Sequence, residues 1–276
     1  MPSFAGSLPQ LTPRTMGTGG VTDPSNPEHV RIARLAMEAG VWFHVSDYGG
    51  GVYAVLKQAF AEDPAHVPPC IVKVDGVSVQ GFHASVEDCL RRTGLERIAI
   101  GQVCGYPLCE EPEALAEALA AMKARGVIGS YIMDVIYPYS AAVLQADAAG
   151  LFDGYIFYLN VMERELSNAA YAQLVAGGTP ILAMRTFGGR DGANYLKNAD
   201  HPRRAALEPL YQRSGCADRL EFCVRFPLSL PNVRTTIGST GSLANLQAFL
   251  SASTAPLDAD IAAGVEALHS QWNAGR

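Results

Sequence analysis

Seven short apolar runs, separated by stretches of helical periodicity, constrain this sequence more than any other feature. They are VWFHVSD (41–47), CIVKVDG (70–76), RIAIGQV (97–103), SYIMDVI (130–136), GYIFYL (154–159), ILAMRTF (181–187) and VRTTIGS (233–239). Runs that are apolar at nearly every position suit parallel strands covered on both faces. The helices between them carry readable ends. In SNPEHVRIARLAMEAG, Asn26 is placed to cap, Pro27 suits the first turn and Gly40 closes the helix. Ile32, Leu35, Ala36 and Ala39 share one face, and Arg31, Arg34 and Glu38 the other. EPEALAEALAAMKARG (111–126) repeats the scheme, with Leu115, Leu119 and Met122 as the stripe and Gly126 as the stop.

With a first strand near MGTGG (16–20), eight strand–helix units fit into 276 residues. That count predicts an α/β fold, a single closed (β/α)8 barrel (TIM barrel). A doubly wound sheet is the competing layout, but no GxGxxG turn follows the first strand. No internal break is evident, so residues 1–276 read as one domain. The one long connection, 188–219, follows strand seven on the face where barrels carry their sites, and is a candidate lid.

Apolar residues make up 49% of the chain, enough for a sizeable core. Against 27 acidic residues stand 21 basic ones, giving net −6 with no basic block, which argues against nucleic acid or an anionic membrane as partner. No run of eighteen apolar residues occurs, and MPSFAGSLPQLTPR lacks the apolar centre of a signal peptide. The six cysteines (70, 89, 104, 109, 216, 223) have no paired metal-ligand spacing and are too sparse for a disulfide framework. The expectation is a cytoplasmic protein with reduced thiols, no metal and a small-molecule substrate. No helix marks an obligate partner face, so the oligomeric state stays open.

Several segments, in order along most of the chain, resemble the aldo-keto reductase superfamily. MGTGG is similar to the glycine cluster of its first strand, EAGVWFHVSDYGGG to its strand-two signature and PPCIVKV to its strand three. LRRTGLERIAIGQV, ALAAMKARGVIGSYIM (118–133) and DRLEFCVRFPLSLPNVRTTIGST (218–240) follow the family's later segments. The resemblance implies the same barrel and a default activity of NAD(P)H-dependent carbonyl reduction.

The family's catalytic set is Asp, Tyr, Lys and His. Carried over by position, Tyr48 matches the tyrosine and Lys73 the lysine. His44 stands at the aspartate position, one residue nearer the tyrosine than usual, and Cys104 stands at the histidine position. A phenol with a pKa near 10 relays protons poorly at neutral pH until a cation lowers it, and Lys73 is the cation on offer. A histidine has no anionic form to pair with that lysine. If His44 and Lys73 adjoin, each disfavours the other's charge. For His44, a satisfied core histidine is the competing reading; for Cys104, a small buried hydrophobe. Gln102 shares a strand face with Cys104 and is a substrate-binding candidate. So are Asp134 and Tyr137, with Tyr139, at the exit of strand five, and Arg185 at the end of strand seven as a carboxylate or phosphate binder. Asp47 should point away from His44 by strand alternation.

The nicotinamide anchors of the family, again by position, are met by Met133-Asp134, Ile156 and Met184, groups of the wrong polarity or shape. IGSTGSLANL (237–246) still offers an anion cradle at Ser239, Thr240, Gly241 and Ser242. The cations that hold a 2′-phosphate in many relatives are missing there, which favours NAD over NADP for any nucleotide bound. Three readings follow. The first is a divergent enzyme using Tyr48 and Lys73 for acid/base chemistry of the isomerase, dehydratase or lyase type, with no nicotinamide cofactor favoured. The alternative is an NAD(P)H-dependent reductase with NAD(P) bound, and the third is a catalytically silent binding protein.

Overall fold

The computed structural model describes residues 8–47, 50–135, 139–189 and 193–274. Tyr48 and Tyr137 therefore lie outside the described residues.

All seven apolar runs are strands, and with the MGTGG segment they make eight: β1 (Arg14–Gly17), β2 (Trp42–Val45), β3 (Cys70–Asp75), β4 (Ile98–Cys104), β5 (Ile128–Asp134), β6 (Gly154–Asn160), β7 (Ile181–Met184) and β8 (Val233–Ser239). Each pairs in parallel with its neighbours. β1 lies between β2 and β8, and pairing of Ile132 with Gly154 and Asp134 with Ile156 joins β5 to β6, so the ring closes. A two-residue antiparallel return, Glu163–Arg164, folds back on the end of β6. The architecture is a (β/α)8 barrel.

Among the described residues ten α-helices surround it: α1 (Pro27–Glu38), α2 (Val52–Glu62), α3 (Val79–Thr93), α4 (Pro112–Ala124), α5 (Ser140–Ala148), α6 (Asn168–Ala176), α7 (Pro202–Arg213), α8 (Arg219–Leu228), α9 (Leu243–Ser251) and α10 (Ala259–Trp272). The first starts as its sequence predicts: the Asn26 side chain accepts from the Glu28 amide and Pro27 occupies the first turn. Its buried face is rotated from the expected one, carrying Val30, Ala33 and Met37 beside Ile32 and Ala36, while Ala39 is exposed. The stretch 188–219, read as one long connection, contains α7 and the start of α8. Leu207 of α7 is buried and Leu210 and Tyr211 pack partly buried beside it, a short stripe in a polar stretch.

Alternation along the strands divides the core in two. Outward residues such as Phe43, Val72, Val103, Tyr131 and Phe157 pack under the helices. Inward residues form one apolar layer across the barrel: Trp42, Ile71, Ile100, Ile132, Ile156, Leu182 and Ile237. Leu8 and Leu11 pack on this layer from below, and Thr12 Oγ1 accepts a hydrogen bond from the Trp42 amide at 3.1 Å. Each buried aliphatic side chain of this size contributes roughly 1.5–3 kcal/mol. One step of two residues towards the C-terminal ends, the same strands offer His44, Lys73, Gln102, Asp134, Tyr158 and Met184. An apolar floor thus carries a largely polar layer at the barrel mouth.

Candidate active site

The polar layer is built by the period of two in β-strands. Ile71 and Lys73, Ile100 and Gln102, and Ile132 and Asp134 are consecutive inward pairs. Lys73 and Asp134 come from β3 and β5, with β4 between them, and meet with Nζ 3.9 Å from Oδ2. Lys73 keeps 20% of its side chain exposed and Asp134 only 8%. Cys104, at the end of β4, donates its thiol to the same Asp134 oxygen at 3.3 Å. Gln102 is fully buried, and its Oε1 lies 2.5 Å from His44 Nε2, which makes that ring nitrogen the donor.

Charge follows from these contacts. Burial, then the neighbouring Lys73 ammonium, pushes His44 down to about 4, so its imidazole is neutral at physiological pH. Burial, reinforced by the Asp134 charge, pushes the Cys104 thiol up, so it acts as a donor and not as a thiolate. Burial also raises Asp134, opposed by Lys73, the Cys104 thiol and the Gln102 amide, each of which favours the carboxylate. The sequence alone leaves Lys73 without a counter-charge; the folded barrel provides one from β5.

Asp47 is engaged elsewhere. Its Oδ1 accepts from the Val52 amide at the start of α2 (2.8 Å) and its Oδ2 pairs with Arg92 of α3 (2.7 Å). It holds two helices to the end of β2 and does not face His44.

Arg185 follows β7 with φ +56°, a left-handed backbone that a non-glycine residue adopts at a cost of order 1 kcal/mol or more. Its exposed guanidinium lies over the Tyr158 ring at 4.6 Å. It lines the same cleft as Gly17, His44, Ser46, Lys73, Tyr158 and Met184, of about 460 Å³. A second cavity of about 630 Å³ adjoins it and shares Gly19, Phe187, Asn194, Gly238 and Ser239. This second part is closed by Thr240, Gly241, Ser242 and Asn245 at the start of α9, with Lys197 beside them. The Ser239–Ser242 cradle and the Lys73 layer are therefore two ends of one elongated groove. Each part alone has the volume of an ordinary small-molecule site. Beside the groove, at the first residue of α9, Glu28 accepts from the Leu243 amide at 3.2 Å, so a carboxylate already stands at that helix N-terminus.

The positions carried over for nicotinamide anchoring do not hold. Ile156 is in the apolar floor and Met133 in the outer core, both fully buried and neither on the groove. Strand six presents Tyr158 to the groove, two residues later, and the segment after strand seven presents Phe187, three residues beyond Met184. Tyr158, Phe187 and Asn194 line the groove and were not singled out by the sequence reading. Tyr158 was within reach of it, because the alternation that buries Ile156 in the floor points residue 158 at the mouth. Groove length, an aromatic on the shared wall and hydroxyls at a helix start fit a dinucleotide. Among the described residues no group of His, Cys, Asp and Glu is arranged to hold a metal, and all six cysteines are free thiols. No described helix is long and apolar enough to cross a membrane.

No protein-family model matches the sequence, and no curated protein matches it by sequence. Solved structures do match the fold. An aldo-keto reductase from Bacillus halodurans in its holo form superposes with a TM-score of 0.75 at 17% identity, over 98% of this chain and 98% of that one. An aldo-keto reductase from Klebsiella pneumoniae in complex with NADPH gives 0.72 at 16% identity, over 94% and 92%. The Bombyx mori aldo-keto reductase in complex with NADP gives 0.71 at 15%, over 99% and 95%. These complexes overturn the expectation that no nicotinamide cofactor is favoured. That expectation rested on Met133, Ile156 and Met184, two of which do not touch the groove. Along nearly its whole length, the chain has the barrel fold of the aldo-keto reductases.

Proposed function

We propose that this protein is a member of the aldo-keto reductase superfamily and reduces a small carbonyl compound with a nicotinamide dinucleotide. The observation that carries the reading is the ion-paired Lys73 at the mouth of the barrel, opening into a groove that runs to the start of α9. The matched structures bound to NADPH and NADP support the choice of cofactor.

Carbonyl reduction needs a hydride on carbon and a proton on oxygen, and the bound dinucleotide supplies the hydride. The protein's residues supply the rest. Lys73 keeps a positive charge at the mouth, which favours ionisation of a phenol beside it and stabilises negative charge developing on the carbonyl oxygen. Tyr48, three residues past the end of β2, is the proton donor in this reading. His44, neutral and held by Gln102, lines the cleft without adding a second cation. Phe187 and Tyr158 offer aromatic faces to the nicotinamide end, and Ser239, Thr240 and Ser242 offer hydroxyls to the phosphate end. Arg185 offers its guanidinium to a carboxylate or phosphate on the substrate.

The test is a titration of the protein with NADH and NADPH followed by fluorescence, then cofactor consumption over a panel of aldehydes and oxo acids. Saturable binding with turnover of at least one carbonyl is expected. No binding of either nucleotide at millimolar concentration rejects the reading.

A further inference from the structure

A buried ammonium must be neutralised or it sheds its proton, and Lys73 is four-fifths buried. The groups facing it can be sorted by charge. From β2, His44 is neutral; from β4, the Cys104 thiol is neutral and donates to Asp134. On β3 itself, Asp75 spends its Oδ1 on the Val77 amide at 2.7 Å and packs against Gly81 at the start of α3. Past β7, Arg185 has the same sign as Lys73. Among the described residues this leaves one carboxylate within ion-pair distance of Nζ, that of Asp134 on β5. The carboxylate is held for this role by the Cys104 thiol, while Gln102 of the same strand face carries His44.

We propose that Asp134 is the positioning residue of the active site: it is the counter-ion that keeps the Lys73 ammonium charged, supplied from β5 in place of an acid on β2, where His44 stands. The catalytic consequence rests on the reductase reading above, but the electrostatic claim does not. Two corollaries follow from the geometry. Position 44 should accept an aspartate, because a carboxylate there faces the same ammonium from the neighbouring strand β2. Glutamate at position 134 should serve, because it keeps the charge and the strand face.

The chain has four lysines, at 57, 73, 123 and 197, so the Lys73 side chain can be followed by NMR in protein labelled with 15N-lysine and assigned with Lys73→Met. Asp134→Asn is expected to lower the Lys73 pKa by about 1–3 units, the usual effect of one opposite charge at this range. Adding His44→Asp to Asp134→Asn is expected to restore it, and Asp134→Glu to leave it near the wild-type value. An unchanged Lys73 titration in folded Asp134→Asn overturns the proposal. If Asp134→Asn does not fold, the Asp134 carboxyl followed by 13C NMR decides: its pKa should rise in Lys73→Met, and no rise overturns the proposal. In a wild type that reduces carbonyls, the pH profile of kcat/KM should move by the same amount and return in the double variant. A wild type with no reductase activity rejects the reductase reading while the titration still decides the counter-ion.

Discussion

Lys73→Met tests the energetics of the barrel mouth, because methionine keeps most of the side-chain length and removes the charge. It leaves Asp134 buried beside Cys104 without its cation. Two estimates bound the cost at neutral pH. At 3.9 Å, unit charges attract by about 4 kcal/mol at an effective dielectric constant of about 20. The alternative for the variant is to carry Asp134 protonated. That costs about 1.4 kcal/mol for each pH unit above the ordinary carboxylate value of about 3.9, or about 4 kcal/mol at pH 7. The expected loss is therefore about 2–4 kcal/mol at pH 7, within the range for breaking a buried pair. Its pH dependence has a definite sign. In the variant the folded-state pKa of Asp134 is raised further above the unfolded value, so folding favours the proton. The penalty is then absent below about pH 4, where both states are protonated, and grows as pH rises towards the folded pKa. His44 acts in the same direction, since losing Lys73 removes one of the two causes that hold it down. Urea unfolding followed by circular dichroism at about pH 7 and about pH 4.5 should show the gap to wild type shrinking on acidification. Lys73→Met/Asp134→Asn should cost less than the two single changes together, by about 1–3 kcal/mol. A gap that does not vary with pH, or two costs that add within about 0.5 kcal/mol, refutes the reasoning.

Four further outcomes are expected. Tyr48→Phe should lower kcat by about 10²–10⁴-fold while nucleotide binding measured by fluorescence is retained, the usual range for loss of a general acid. Arg185→Gln should raise KM about ten- to a hundredfold for carbonyls bearing a carboxylate, with neutral aldehydes unaffected, because it removes a charge-assisted hydrogen bond of about 1.5–3 kcal/mol. NADH should bind more tightly than NADPH, because Glu28 sets a carboxylate at the start of α9 that would repel an additional phosphate bound near that helix, and Glu28→Gln should narrow that difference in a paired titration. His44 should titrate near pH 4 by NMR. Its depressed pKa contributes stability that is present above the unfolded value of about 6.5 and lost as pH falls through the folded one.

The strands were legible because burial on both faces writes an apolar run, and all seven runs are strands. The floor residues were legible in the same way, as one inward position per strand. Asp134 was visible as a polar residue at the end of an apolar run, yet its partner was not, because Lys73 lies two strands away and only closure of the ring brings them together. The groove residues of β6 were harder to place for a different reason. Ile156 and Tyr158 share one inward face, and a step of two residues exchanges the floor for the mouth, which an apolar run alone does not distinguish. Helix α7 was hard to read because its apolar stripe is short, Leu207, Leu210 and Tyr211, and much of the rest is polar, with Glu208 paired to Arg219 and Arg213 to Asp260.

Leu8 and Leu11 seal the underside of the barrel against Trp42 and the isoleucine layer. A vessel stoppered at one end has a single doorway, and two reactants that share it must queue. A substrate and a dinucleotide using the groove together would both have to come and go on the side where Lys73, Tyr158 and Arg185 stand.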